Sequence, residues 1–317
     1  MLDPQAQALL QLMKDRGVAP VHTLTPTQAR QYARDRRTYT QPPPPQLADV
    51  REHTITHGAV SFAARSYHPE KNPSHALPAL LYLHGGGWTI GDLDTHDVLC
   101  RSLCEQAHGV VISLDYRMGP EHKFPAAYED TIAGYDWCIQ HAKQLGIDPH
   151  RIAVGGDSAG GNLTAAACLG LKGSAIEPCF QLLIYPAVTM RPDTPSYHAN
   201  GQGYMLTQDS ITYFTNNYLA KDADKDDWRA SPIFASDHTH LPPAFVLTAG
   251  YDPLKDEGYM YADVLSKAQV ATQYVCFERQ IHGFITMGGI LQEANTAVSL
   301  CAQTLKHAWK SKKIDTF

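Results

Sequence analysis

Three side chains in this 317-residue sequence have the type, order and surroundings needed to attack a carbonyl carbon: Ser158, Asp252 and His282. Ser158 stands in Gly155-Gly156-Asp157-Ser158-Ala159-Gly160-Gly161-Asn162, so that Gly156 and Gly160 bracket it in a Gly-x-Ser-x-Gly frame. Such a frame between a strand and a helix lifts a serine on a turn too tight for side chains at the bracketing positions. A serine hydroxyl is a weak nucleophile until a base takes its proton, and histidine titrates in the range that suits the task. The chain has 16 histidines, so position must select among them. His282 falls at a turn after an apolar run, in Gln280-Ile281-His282-Gly283-Phe284, whereas His53, His57, His68, His75, His238 and His240 lie in polar stretches and read as solvated. A carboxylate must hold the imidazole in one tautomer, and Asp252, in Gly250-Tyr251-Asp252-Pro253-Leu254, is placed for it. Asp256 and Glu257 read as charges on the first turn of the next helix. The negative charge of a tetrahedral intermediate needs donors. Bare backbone in His84-Gly85-Gly86-Gly87-Trp88 supplies them, and the expected set is the N–H groups of Gly85, Gly86 and Ala159.

These residues need elements to carry them. Arg151-Ile152-Ala153-Val154 reads as the end of a buried strand and Leu163 to Leu169 as the helix beyond the serine, whose free N–H groups face developing charge. Residues 79–83, 110–114, 181–185, 244–248 and 272–277 read as further strands. These buried strands alternate with helical patterns, as in a mostly parallel sheet covered on both faces. Residues 50–56 and 59–67 read as an antiparallel pair. Ligands of such sheets bind where strands end at their carboxyl ends. Ser158, the triple glycine, Asp252 and His282 all stand at such ends.

The N-terminal segment precedes the strands. Asp3 caps a helix with Pro4 at its first position, Leu9, Leu10, Leu12 and Met13 form its apolar stripe, and Gly17 ends it. A second helix spans about 26–37, before the Pro42-Pro43-Pro44-Pro45 stop. The polar stretch of about 190–232, with a helix over 209–219, interrupts the alternation and is too long to be slack.

Composition excludes other classes. The net charge of −6 gives no electrostatic case for nucleic acid or for stable association with an anionic membrane. No apolar stretch is long enough to span a bilayer, and the start of the chain lacks the pattern of a secretory signal. The seven scattered cysteines, with no Cys-x-x-Cys pair, suit reduced buried thiols and a cytoplasmic setting. Cys100 and Cys104 are a helical turn apart, but no further ligand types gather near them, and no metal is expected.

Beyond the triad, His84-Gly85-Gly86-Gly87-Trp88, Asp115 to His122, Gly156 to Asn162, Leu241-Pro242-Pro243-Ala244, Asp252 to Gly258 and His282-Gly283-Phe284 follow one another in an order that resembles the hormone-sensitive-lipase-like family of α/β-hydrolase carboxylesterases. Gly-Asp-Ser-Ala-Gly resembles its subgroup with Asp before the nucleophile. Met118-Gly119 and Lys123 depart from the usual pattern without touching the proposed chemistry. The resemblance implies an α/β-hydrolase fold, with an eight-stranded, mostly parallel sheet flanked by helices. It implies a helical cap from residues 1–48 over a catalytic domain of 49–317, with a cap insertion at about 190–232. It implies a serine carboxylesterase acting on short-to-medium acyl esters, without metal or cofactor, as a monomer or a homodimer. The stretch from Arg117 to Glu121 would brace the active-site floor as an ion-paired loop. Trp88, Asp157, Tyr204, Met205 and Phe214 are candidate substrate contacts, with core positions as the alternative. An amidase or peptidase with the same triad stays open. A non-catalytic small-ligand receptor would have dispensed with His282.

Overall fold

Apolar runs without alternation become strands covered on both faces. In the computed structural model, which describes residues 1–311, the sheet has eight strands: β1 (Asp49–His57), β2 (Val60–His68), β3 (Leu77–Leu83), β4 (Val110–Asp115), β5 (Ile147–Asp157), β6 (Gln181–Ile184), β7 (Ala244–Tyr251) and β8 (Thr272–Ile281). Their order is β1-β2-β4-β3-β5-β6-β7-β8, and only β2 runs against the rest. β3 is buried at every residue, whereas β2 alternates along much of its length, as a strand near the edge does.

The helices are α1 (Pro4–Asp15), α2 (Pro26–Thr40), α3 (Asp97–Ala107), α4 (Ala126–Gln140), α5 (Ala142–Leu145), α6 (Ala159–Gly170), α7 (Pro195–Ala199), α8 (Gln208–Tyr218), α9 (Lys255–Lys267) and α10 (Gln292–Ser311). Strand alternation sorts the core into two layers. Leu81, Leu83, Ile112 and Leu114 pack with Tyr135 of α4 and Leu163 of α6. Leu80, Tyr82 and Val111 pack with Leu103 of α3, Leu305 of α10 and Leu9 of α1. Among the described residues no helix is long and apolar enough to cross a membrane.

Several boundaries differ from the sequence reading. The cap of α1 does not: Asp3 caps it from one side only, as Ala6 at the capping-box position implies, its carboxylate accepting from the N–H groups of Gln5 and Ala6. Leu12, expected in the apolar stripe, is 43% exposed, and the docked face is Ala6 and Leu9. α2 opens on a Thr25/Gln28 capping box and continues three residues past Arg37 to Thr40. β5 begins at Ile147, before the apolar run. Two histidines read as solvated are buried: His68 bonds to the Ser66 hydroxyl, and His238 donates to the Pro232 carbonyl. His53 is half-buried, against the same Ser66 hydroxyl. Their flanking polar residues hid the fact that strand pairing and the turn before β7 cover them.

The two-layer core makes a stability prediction. Leu81→Ala empties a fully enclosed site and should cost about 2–5 kcal/mol, whereas Leu12→Ala should stay within about 0.5 kcal/mol. Denaturant unfolding of both variants checks this, and equal costs would contradict the packing described.

Candidate active site

Residues from the ends of β3, β5, β7 and β8 meet at one edge of the sheet. β5 ends at Asp157 and α6 begins at Ala159, so the whole reversal falls on Ser158, at φ 57° and ψ −115°. A non-glycine residue there is strained. The surroundings hold it: Ser158 N–H donates to the Ile184 carbonyl at 2.9 Å, and its own carbonyl accepts from Asn162 N–H at 3.0 Å. Gly160 approaches the Leu83 carbonyl so closely that any Cβ would collide with it.

His282 follows β8 and bridges the other two members. Its Nε2 is 2.9 Å from Ser158 Oγ and its Nδ1 is 2.7 Å from Asp252 Oδ2. A carboxylate only accepts, so the proton sits on Nδ1, and Nε2 is left to receive the serine proton. Asp252 is fully buried, and its second oxygen accepts from Leu254 N–H at 2.8 Å. The structure thus brings Ser158, Asp252 and His282 together.

The oxyanion donors need a correction. Gly85 N–H donates to Asp157 Oδ1 at 2.9 Å and has nothing left for a ligand. Asp157, expected as a substrate contact, is engaged by the protein itself. It takes bonds from Gly85 and from Tyr82 OH at 2.8 Å, and it pairs with His96 Nε2 at 3.2 Å. Burial pushes its carboxyl up, but the adjacent His96 and these hydrogen bonds outweigh burial and hold it below the usual carboxylate range.

Two other N–H groups are aimed by their own peptides. The Gly85 carbonyl accepts from His84 Nδ1–H at 2.9 Å, so the N–H of the same trans peptide, that of Gly86, points the other way. The Gly86 carbonyl accepts from the N–H groups of Thr89 and Ile90 at 3.1 and 2.9 Å, which turns Gly87 N–H likewise. Neither N–H bonds to another described residue. Gly86 is at φ +125°, open only to glycine. His84 is neutral, since burial first and then His96 bring it down to about 4. Ala159 N–H is free as the first of its helix.

Thr89 is the peg of this loop. Its hydroxyl also donates to the Gly87 carbonyl at 3.0 Å, and its carbonyl accepts from Arg30 Nε at 2.8 Å. Arg30, on α2, also donates to the Gly119 carbonyl at 2.8 Å and pairs with Glu121. No local signal could have found Arg30, because its backbone partners lie 59 and 89 residues away. Arg117, in the same loop as Gly119, clasps Asp130 with both its Nε and Nη2.

A cavity of about 470 Å³ opens over Ser158. Trp88, Tyr204, Met205 and Phe214 all contribute to its wall, as do Leu10 and Met13 of α1. Trp88 is braced from behind by Tyr218, ring centroids 4.5 Å apart. Glu257 stands in the first turn of α9 as read from sequence, but it is buried in the wall, accepting from the N–H groups of Val188 and Thr189 at 2.9 and 3.2 Å. Burial pushes it up to about 8, with Asp252 adding to the shift and the two N–H groups opposing it.

Known proteins share this fold. Residues 80–286 match the model of a family described as having the alpha/beta hydrolase fold. The carboxylic ester hydrolase LipN of Mycobacterium tuberculosis is 41% identical over 81% of this chain and 71% of its own. The ethyl acetate hydrolase of Pseudomonas putida is 35% identical over 96% of this chain and 98% of its own. Among solved structures, an ester-hydrolase from the metagenome of Lake Arreo superposes with a TM-score of 0.93, at 39% identity over 98% of this chain and all of that one. A hyperthermophilic esterase from Pyrobaculum calidifontis gives 0.90, at 36% identity over 96% of this chain and 98% of its own. The chain belongs to the α/β-hydrolase family and, within it, to the serine carboxylesterases that resemble hormone-sensitive lipase.

Proposed function

We propose that this carboxylesterase cleaves esters of short-to-medium acyl chains with Ser158 as nucleophile, His282 as base and then acid, and Asp252 as the group that orients His282. The observation that carries the reading is the unbroken line from Ser158 Oγ through His282 to Asp252, at 2.9 and 2.7 Å, beneath a cavity of about 470 Å³. Ser158 Oγ attacks the carbonyl carbon while its proton passes to His282 Nε2. The oxyanion accepts from Gly86, Gly87 and Ala159 N–H. Collapse expels the alcohol, which takes the proton from His282, and leaves the acyl group on Ser158. Water then attacks with His282 again as base, and the carboxylic acid leaves. The helices of residues 1–48 and the insertion of about 190–232 act as the cap, since both contribute to the cavity wall and so limit chain length. Among the described residues no disulfide forms and six of the seven cysteines are buried, which favours work in the cytoplasm.

Ser158→Ala should lower kcat by about 10⁴-fold or more. Assays on p-nitrophenyl esters from acetate to palmitate, with wild type in parallel, test the whole reading. Near-normal turnover in the variant, or rates that climb toward palmitate, would sink it.

Arg30→Met frees the Thr89 carbonyl and loosens the loop that aims Gly86 and Gly87. Losing a whole oxyanion donor costs about 10²–10³ in kcat, so losing its support should cost about tenfold, with KM little changed. A rise in KM alone would assign Arg30 to binding instead.

Glu257 gives a pH signature. Its folded value near 8 lies above its ordinary one. The unfolded chain therefore releases this proton at a lower pH than the folded chain does, and the contribution to stability falls as pH rises toward 8. Glu257→Gln keeps an acceptor for Val188 and Thr189 without the titration. Between pH 5 and 8 the melting temperature of the variant should gain steadily on that of wild type, whereas a constant difference would mean that Glu257 is ionised throughout.

A further inference from the structure

The chain is acidic overall, at −6, yet the cations in its cavity wall outnumber the anions. Lys14, Arg36 and Arg37 all contribute to that wall. The two carboxyl groups there are both accounted for. Asp157 is enclosed by Tyr82, Gly85 and His96, and Glu257 is pushed up to about 8 and is largely neutral at pH 7. None of the three cations has a carboxylate within ion-pair reach among the described residues. Arg36 is held at the wall by its Nη1, which lies 3.5 Å from Met205 Sδ. A thioether is a weak acceptor, so the guanidinium fork is left without a strong partner. Arg37 donates from Nη1 to the Asp94 carbonyl at 3.2 Å, while its Nε is buried with no acceptor. By contrast, Arg30 and Arg34, about two turns and one turn before Arg37 on the same helix, are both paired with carboxylates.

A guanidinium left without a carboxylate beside a substrate cavity matches the planar, two-oxygen face of a carboxylate. We propose that Arg36, supported by Arg37 and Lys14, receives an ionised carboxylate on the substrate, so that the preferred esters are monoesters of dicarboxylic acids. The scissile ester lies at Ser158 and the second carboxylate reaches α2 across the cavity. This specificity rests on the esterase reading above, but it can fail while that reading stands.

The test is a ratio. Monoethyl adipate, suberate and sebacate are compared with ethyl alkanoates of equal chain length, by kcat/KM at low ionic strength, in wild type, Arg36→Met and Arg36→Lys. The expected result is a wild-type preference for the charged ester at one chain length, shrinking in high salt. That preference should fall about tenfold in Arg36→Met, in line with the loss of one charge-assisted pair, and return in large part in Arg36→Lys. Because each variant is its own reference, a general loss of folding cancels from the ratio. No charged-ester preference at any length, or the same preference in Arg36→Met as in wild type, overturns the proposal. Hydrolysis of the neutral esters that vanishes in Ser158→Ala keeps the esterase reading in place under either result, and its persistence there would remove both.

Discussion

The tip of β5 is the constraint on which the site depends. Asp157 and Ser158 are adjacent, yet the first is bound to the loop after β3 and the second to the histidine after β8. A buried carboxylate is tolerated only when its oxygens are satisfied, and Asp157 finds its partners in Tyr82, Gly85 and His96. The distance between the nucleophile and the oxyanion donors is therefore not set by two independent loops. It is fixed by one dipeptide on a central strand, with the carbonyl of Leu83 pressed against Gly160 from the neighbouring strand.

A second layer of support comes from outside the sheet. Arg30, Arg34, Arg37 and Gln41 follow one another by four, three and four residues, the spacing of one helix face, and all bond to residues 89–95. Partly exposed pairs of this kind add little stability one at a time. Their effect is registration: α2 lies along the segment that follows the triple glycine, and the Thr89 carbonyl passes that register to the peptides of Gly86 and Gly87. The same helix presents Arg36 toward Met205, so one element serves both the oxyanion loop and the cavity wall.

Much of this was legible in the sequence, for physical reasons. The buried strands announced themselves as apolar runs, and Ser158, Asp252 and His282 stand where strand ends must converge. What the sequence hid depends on side chains that reach across the fold. Gly85 and Gly87 are equivalent as letters, and only the Asp157 carboxylate, occupying Gly85 N–H, tells them apart. Glu257 looked like a helix-end charge because its acceptors' partners, Val188 and Thr189, belong to a distant segment. His68 and His238 sat among polar letters while tertiary packing enclosed them.

The docking of α1 carries a consequence for how the molecule assembles. Asp3 N–H bonds to the Arg279 carbonyl in β8, and Gln5 Oε1 accepts from Gln292 N–H at the start of α10. An element made early during synthesis thus finds its seat only when the strand that leads to His282 and the helix after it have emerged. Closing so long a loop is slow, and the apolar face of α1 has no native cover until then. The wall of the cavity is consequently among the last parts to be completed, and a nascent chain can hold Ser158 on a finished turn well before it has a chamber in which to use it.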